Sequence, residues 1–266
     1  MGENKCAKDI NTELTDTLIV HADGTEEKSH MNVLKEHSLE ILINERLYRR
    51  MICINDHLEE LVTGRLYTDC VIDSADAIKS IEFCNDQKQA FVRLNTNIAP
   101  DKKYTVTEDS CGGSMVLQNR RTQTDIHCYG MDDNSTKAMF RMAKRFDEDT
   151  TLHKLTGAAH SCMLADMKEI LFTCEDIGRH NAVDKAVGYG LIKGIDLSEC
   201  IIYTSGRVPA DMVNKVINAG IPILVSKAVP TDESISLARK KGLTLICRAR
   251  PDSYVLVTPQ NCCEQA

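Results

Sequence analysis

Apolar residues follow two different periods along this chain, and the change between them divides it. Leu39, Ile41 and Ile43 recur at every second position, which predicts a strand, and Met51-Ile52-Cys53-Ile54 reads as its hairpin partner. Asp56 followed by Glu59 has the spacing of a capping box, and Leu58, Leu61, Val62 and Leu66 then fall at helical intervals. Short strands are expected at 78–83 and 90–94, so residues 38–96 read as a small α+β unit. Upstream, 1–37 is polar and irregular, with one strand at 17–21 and a turn at Asp23-Gly24. Residues 97–133 show little periodicity, and a loop of that length is usually functional or mobile.

From Ser135 onward strand and helix patterns alternate. Ala138, Met139, Met142, Ala143 and Phe146 make the stripe of a helix capped at Ser135, and a buried helix or strand follows at 157–165. Strands are expected at 170–174, 201–204, 223–226 and 243–247. Helices are expected at 183–189, ending before Gly190, from Pro209 to Gly220, and at 232–241 with Gly242 past its end. This predicts an α/β unit over 134–260, a largely parallel or mixed sheet with flanking helices, followed by a tail at 261–266. Ligands of such sheets sit beyond the strands' carboxyl ends, which points to 174–181, 205–208 and 248–253.

Composition narrows the function classes. The 266 residues carry 32 Lys+Arg against 39 Asp+Glu, a formal charge of −7, which argues against sequence-blind coating of nucleic acid. Trp is absent and aromatics make up 5%, so a base-stacking platform is not expected. The sequence contains no apolar run long enough to span a membrane, and Met1-Gly2-Glu3-Asn4-Lys5-Cys6 does not open an apolar secretory signal. A cytoplasmic, reducing setting with mostly free thiols is therefore expected for the 12 cysteines. Cys53, Cys70, Cys84, Cys162, Cys174, Cys200 and Cys247 lie in apolar or periodic stretches and read as small hydrophobes. No C-x-x-C pair occurs, so no resident metal is expected.

Chemistry concentrates in a few segments. Thr173-Cys-Glu-Asp-Ile-Gly-Arg-His-Asn-Ala-Val-Asp-Lys185 packs polar groups between a buried strand and an apolar helix. Arg179 offers a planar fork for phosphate or carboxylate, His180 a neutral donor or acceptor, and Glu175-Asp176 acceptors for ring N–H or ribose hydroxyl groups. The plainer reading is a solvated strand–helix turn with Asn181 or Asp184 as its cap. His160, in Thr156-Gly-Ala-Ala-His160, is either a satisfied core histidine or a second wall of the same cleft. Ser205-Gly206-Arg207 follows a strand and precedes a helix, where backbone N–H groups favour an anion, and Arg248-Ala-Arg250 is similarly placed. Several anion-friendly ends around one sheet imply a phosphorylated, nucleotide-like ligand. Cys111 lies in a polar Gly-rich loop with access for reaction, although Glu108 and Asp109 oppose a lowered pKa.

Phe172 to Lys185 closely resembles the signature of the formate dehydrogenase accessory sulfurtransferase family (FdhD type). Thr156-Gly-Ala-Ala-His160 resembles that family's T-G-G-x-H segment, and Ser205-Gly206-Arg207 its S-G-R turn; the likeness runs from about Glu36 to Pro259. The resemblance implies a cytidine deaminase-like fold, a homodimer, and transfer of sulfur from a cysteine desulfurase to a molybdenum or tungsten guanine dinucleotide cofactor. That cofactor, molybdenum bis(molybdopterin guanine dinucleotide), is a bound substrate that guanine nucleotides can mimic, and it then enters formate dehydrogenase. The persulfide carrier of the family's loop matches Cys111, and its cofactor-binding segment matches Arg248, Ala249, Arg250, Pro251, Asp252 and Ser253. On this footing Arg179, Arg207 and Arg250 are candidates for phosphates, and Glu175, Asp176, His180 and Asn181 for orienting pterin or guanine.

The chain departs from the family pattern at two positions. Ser114 replaces the second loop cysteine, leaving Cys128 or Cys262-Cys263 as the alternatives for any second thiol, and Ser253 stands where Arg is frequent. A persulfide needs one sulfur nucleophile, so transfer on Cys111 is expected. The alternatives are a cofactor-binding chaperone that moves no sulfur, or a nucleoside deaminase, for which the His-x-Glu and P-C-x-x-C zinc set is missing.

Overall fold

The computed structural model describes residues 11–95, the short strand Glu108–Asp109 and residues 131–258. The chain opens with a hairpin of β1 (Thr12–Val20) and β2 (Glu26–Leu34), paired in register from Thr12 opposite Leu34 to Val20 opposite Glu26. The turn is where Asp23-Gly24 predicts it, with Asp23 Oδ1 accepting from the Thr25 N–H at 3.0 Å. Two nine-residue strands replace the single short one expected. The alternation that would reveal them is missing because both faces of the ribbon meet solvent; Leu14, Leu18, Ile19, Val20 and Met31 are all exposed.

The first half builds a five-stranded sheet from β3 (His37–Ile43), β4 (Arg46–Cys53), β5 (Ile78–Cys84), β6 (Gln89–Leu94) and β7 (Glu108–Asp109), in the order β5-β6-β3-β4-β7. Asn44 and Glu45, at φ 46° and 68°, form the two-residue turn whose twist suits a hairpin between β3 and β4. Leu39, Ile41 and Ile43 point to one face and bury against Leu61, Val62 and Leu66 of α1 (Leu58–Thr68). The capping box expected at Asp56 does not form. The N-cap is His57, at φ 48° and without a side-chain hydrogen bond, because Asp56 turns away to pair with Lys185 in the other half.

The second half contains α2 (Asp133–Asp149), α3 (Thr151–Thr156), β8 (His160–Ala165), β9 (Ile170–Asp176), α4 (Arg179–Ile192), β10 (Ile201–Thr204), α5 (Ala210–Asn218), β11 (Ile223–Ser226), α6 (Asp232–Lys241), β12 (Thr244–Cys247) and β13 (Val255–Leu256). Its six strands run in the order β13-β12-β11-β10-β8-β9. Only the neighbouring pairs β10–β11 and β11–β12 are parallel, so the sheet is mixed rather than largely parallel. The reason is local: β8 and β9 are joined by a short turn, in which Asp166 Oδ1 accepts from the Lys168 and Glu169 N–H groups, rather than by a crossover helix.

Period-two alternation then sorts the core into two layers. Cys162, Leu164, Ile202, Leu224 and Leu245 face Ala182, Val183, Ala186 and Val187 of α4 and Met212, Val213 and Val216 of α5. Met163, Ile201, Tyr203, Val225 and Ile246 face Ala138, Met139, Met142 and Phe146 of α2. Helix α2 is capped by Asp132, not Ser135. Ser135 occupies the third helical position and returns the bond, with Ser135 N–H to Asp132 Oδ1 at 2.8 Å and Asp132 N–H to Ser135 Oγ at 2.9 Å. Helix α4 starts four residues earlier than the apolar pattern implies and runs through Gly190. The two halves join where α1 crosses α4. A Cβ on Gly64 would lie 1.9 Å from the Asp184 carbonyl oxygen, and one on Gly188 would lie 1.9 Å from that of Glu60. The helices touch backbone to backbone.

Candidate functional site

The segments singled out in the sequence meet at one end of the six-stranded sheet. Strands β10, β11 and β12 finish there, as does β9, while antiparallel β8 begins there; His160 lies opposite Asp176 and Cys162 opposite Thr204. The rule that ligands sit beyond strand carboxyl ends therefore collects Glu175–Asn181, His160, Ser205–Arg207 and Arg248–Ser253 around one surface.

Several of these side chains turn inward. Glu175 accepts from the N–H groups of Leu152 at 2.7 Å and His153 at 2.9 Å, in the first turn of α3, and from Ser161 Oγ at 3.1 Å. Asp176 is fully buried. Its Oδ1 accepts from Gly178 N–H and Asn181 Nδ2, and its Oδ2 accepts from Ile54 N–H and pairs with Lys185 Nζ at 2.8 Å. Asn181 Nδ2 also donates to the Ile52 carbonyl at 2.8 Å. The Glu175 and Asp176 carboxylates and the Asn181 amide nitrogen, expected to orient pterin or guanine, are already used in holding β9, α4, α3 and β4 together, while Asn181 Oδ1 is buried with no hydrogen-bond partner among the described residues. A buried acceptor that satisfies protein donors is expensive to redirect to a ligand. Glu175, Asp176 and Asn181 thus shape the floor of the site.

Arg179 and His180 open α4 rather than lying in a loop. Gly178 caps this helix without a side-chain hydrogen bond, so first-turn N–H groups face the sheet end. Gly206 lies against the Arg179 stem; a Cβ there would sit 2.9 Å from Arg179 Cβ, which explains a glycine at that point. Arg179 Nε is buried and has no hydrogen-bond partner among the described residues. Ser205 Oγ links the strands by accepting from Ser161 N–H at 3.0 Å, with His160 Nδ1 at 3.3 Å. Arg207 is exposed.

The last segment forms a rim. Arg248 is exposed and held at φ 50°, a left-handed conformation uncommon for a side chain of its size, while Ala249 is buried beneath it. Arg250 Nη1 donates to the Lys227 carbonyl at 3.2 Å, and Arg250 N–H closes the turn on the Ser253 carbonyl at 2.8 Å. Pro251, Asp252 and Ser253 are exposed. Arg179, Arg207, Arg248 and Arg250 thus stand at one sheet end beside an uncapped helix start, an arrangement suited to phosphate groups. Cys111, Ser114, Cys128 and Cys262-Cys263 lie outside the described residues.

Burial pushes the His160 imidazole below its ordinary value of 6.5, with Arg179, His153 and His180 adding to the shift and Asp176 opposing it. The neutral ring is favoured in the fold while the unfolded ring binds its proton sooner. Stability should therefore rise with pH through the range just below 6.5 and be lost as pH falls through it. His160→Asn is expected to flatten that part of the profile, as read by denaturant midpoints across pH. An unchanged slope would show that His160 does not carry it.

The thiol readings divide. Burial pushes Cys53, Cys162 and Cys174 far up, and Cys200 and Cys247 to about 12, so these stay protonated and inert, as packed hydrophobes should. Cys84 is instead exposed, and Cys70 is half-buried in a turn at φ 57°, because both sit at element ends. A separate cleft of about 460 Å³ lies beside β9, lined by Asp56, His57, Arg145, Glu148, Asp149 and Glu175 among others. Its lining carries four carboxylates, Asp56, Glu148, Asp149 and Glu175, against Arg145, which suits phosphate poorly, and none of the four arginines of the sheet end lines it. Sequence reasoning missed Asp211, whose Oδ2 lies 3.0 Å from His180 Nε2, and Lys185, which pairs with both Asp176 and Asp56. Asp211 follows Pro209 closely, so its place in the first turn of α5 was the available signal.

Comparison with known proteins bears on the family and the fold. The sequence profile described as the FdhD/NarQ family matches residues 34–262. A sulfur carrier protein FdhD from Bacillus pumilus is 30% identical over 233 residues, spanning 85% of this chain and 88% of its own. Its namesake from Methanothermobacter thermautotrophicus is 31% identical over 216 residues, spanning 80% and 84%. A solved chain described as a formate dehydrogenase accessory protein, from Desulfotalea psychrophila, matches with a TM-score of 0.74 at 23% identity, over 95% of this chain and 99% of that one. The last likeness bears on the fold.

Proposed function

The chain belongs to the FdhD/NarQ family, and from that membership together with the sheet-end geometry we propose that it is a sulfur carrier for formate dehydrogenase. The donor is a cysteine desulfurase persulfide, and the acceptor is the molybdenum bis(molybdopterin guanine dinucleotide) cofactor, bound as substrate before it enters the dehydrogenase. In the loading step the Cys111 thiolate attacks the outer sulfur of the donor. The donor's S–S bond breaks, its cysteine leaves as thiolate, and the outer sulfur with its proton ends on Cys111. The six-stranded sheet and its helices are the cytidine deaminase-like half in this reading, and the working form is a cytoplasmic homodimer.

What supports the reading, beside the family, is the course of β7. Strand β7 pairs in parallel with β4, with Asp109 opposite Met51. The next residue of β4, Ile52, accepts from Asn181, and Ile54 N–H donates to Asp176, so β4 leads to the floor of the sheet-end site. Cys111 follows Asp109 by two residues, a span of at most about 7 Å of chain. Asp109, two residues before Cys111 in the sequence, thus lies beside the strand that reaches the floor of the site.

Ser114 favours a second reading, a chaperone that binds the cofactor and transfers no sulfur. Cys111→Ser separates the two in cells that lack their own carrier. The sulfur-carrier reading predicts that formate dehydrogenase activity falls to the level of the empty vector, while accumulation of the variant matches wild type. Undiminished activation would leave the chaperone.

A further inference from the structure

Strand β9 ends the six-stranded sheet, and no strand pairs with its outer edge among the described residues. The register tells which of its peptide groups face outward. Ser205 N–H donates to the Ser161 carbonyl at 3.0 Å, so Ser161 turns its main chain towards β10. Glu175, directly opposite Ser161 in an antiparallel pair, then turns its own away from β8, and Thr173 does the same two residues away. The Glu175 carbonyl is met by Lys185 Nζ at 3.3 Å. The Thr173 N–H and carbonyl and the Glu175 N–H have no partner on that side among the described residues. Unmet strand groups of this kind are a template for another strand.

The cleft of about 460 Å³ runs along this edge. Thr173, Cys174 and Glu175 line it consecutively, although side chains alternate between the faces of a strand and Cys174 is buried in the α4 layer; the cleft therefore meets the main chain itself. Its walls come from both faces of the sheet. Thr173 shares a face with Met163, over which α2 packs, and the end of α2 brings Glu148 and Asp149 to the cleft. The last turn of that helix holds no basic residue, so its negative end adds to the two carboxylates, with Arg145 as their counter-charge. On the other face Phe172 stacks on Tyr189 at 4.2 Å and meets the His57 ring edge-on at 4.9 Å, which makes an apolar flank.

We propose that the edge of β9 receives an extended segment of a partner protein as a seventh strand, one in which Lys or Arg alternates with apolar residues. Pairing with the Thr173 and Glu175 main chain holds the segment. Its cations meet Glu148 and Asp149 on one face, and its apolar side chains lie towards Phe172 and His57 on the other. Charge decides the class of occupant, since four carboxylates against Arg145 repel nucleic acid and acidic segments. The surface asks nothing of Cys111, so the inference goes beyond the proposed function and is tested independently of it.

The test uses the full-length protein and a labelled synthetic nonamer that alternates Lys with Val, with a nonamer alternating Glu with Val as control. The Lys–Val peptide is expected to bind, more weakly as salt rises, and to slow hydrogen exchange at the Thr173 and Glu175 amides, while the control does not bind. Glu148→Lys/Asp149→Lys places cations where a helix C-terminus favours them, so the fold is kept, and is expected to weaken peptide binding about tenfold or more. Thr173→Pro removes the outward N–H at a position where an edge strand tolerates proline, and is expected to weaken binding about tenfold. Failure of the Lys–Val peptide to bind wild type, binding that ignores the charge reversal, or binding without slowed exchange at Thr173 overturns the proposal.

Discussion

Gly188→Ala is expected to destabilise the fold by about 3 kcal/mol or more, through a single added methyl group. The new Cβ would stand 1.9 Å from the Glu60 carbonyl oxygen and 2.8 Å from the Gly64 amide nitrogen. Both are backbone atoms, so no side-chain rotation relieves the clash, and α1 must move away from α4. That shift would loosen the buried polar contacts that depend on the helices' closeness. Gly190→Ala is the comparison: its Cβ would meet Leu197 Cδ2 at 2.6 Å, the end of a flexible side chain that can swing aside. Urea midpoints for the two variants should differ widely, with Gly188→Ala much the lower. Equal midpoints would show that the helix crossing does not hold the halves together.

Asp184→Ala is expected to cost about 3–5 kcal/mol, because it strands buried cations rather than because it removes a favourable pair. Asp184 is fully buried and pairs with Lys215 Nζ at 2.7 Å and Arg65 Nη1 at 3.2 Å, while accepting from Thr68 Oγ1 at 2.7 Å. Lys215 and Arg65 are themselves almost wholly buried. Burial already pushes the Lys215 ammonium below its usual range despite Asp184. With the carboxylate gone, nothing as close replaces its charge, so the double variant Asp184→Ala/Lys215→Met should recover part of the loss in a mutant cycle.

The neighbouring Asp69 adds a pH signature. Burial pushes it up, but Arg65, Lys215 and Arg49 bring it down to about 2, against 3.8 when unfolded. Its contribution is present above 3.8 and is lost as pH falls towards about 2. Acid titration of the urea midpoint should show a decline in that window. Additive effects in the cycle would contradict the account of Asp184.

The same physics explains what the sequence made legible. Strand β3 announced itself by period-two alternation because one of its faces buries on a helix, whereas β10, β11 and β12 did so as short continuous apolar runs because both faces of each are buried. Helix α6 was readable to its ends, since Gly242 adopts φ 73° and stops it. The β1–β2 hairpin was not readable, because both its faces are wet. The start of α4 was hidden for the opposite reason. Arg179, His180 and Asn181 look like loop residues, yet they are helical, and His180 and Asn181 are fully buried among partners contributed by distant segments.

The site was legible as an address rather than as a set of roles. Strand ends located it, but only the structure shows that Glu175, Asp176 and Asn181 serve the fold and that Asp211 stands behind His180. Lys185 and Asp56 lie 129 positions apart, and no local pattern signals a pair of that kind.

The central claim is that this chain carries sulfur on Cys111. Intact-protein mass spectrometry after incubation with a cysteine desulfurase and cysteine tests it most directly, with wild type set against Cys111→Ser. Wild type is expected to gain one sulfur that reducing agent removes, and the variant to gain none. A gain that ignores Cys111, or none on either protein, would contradict it.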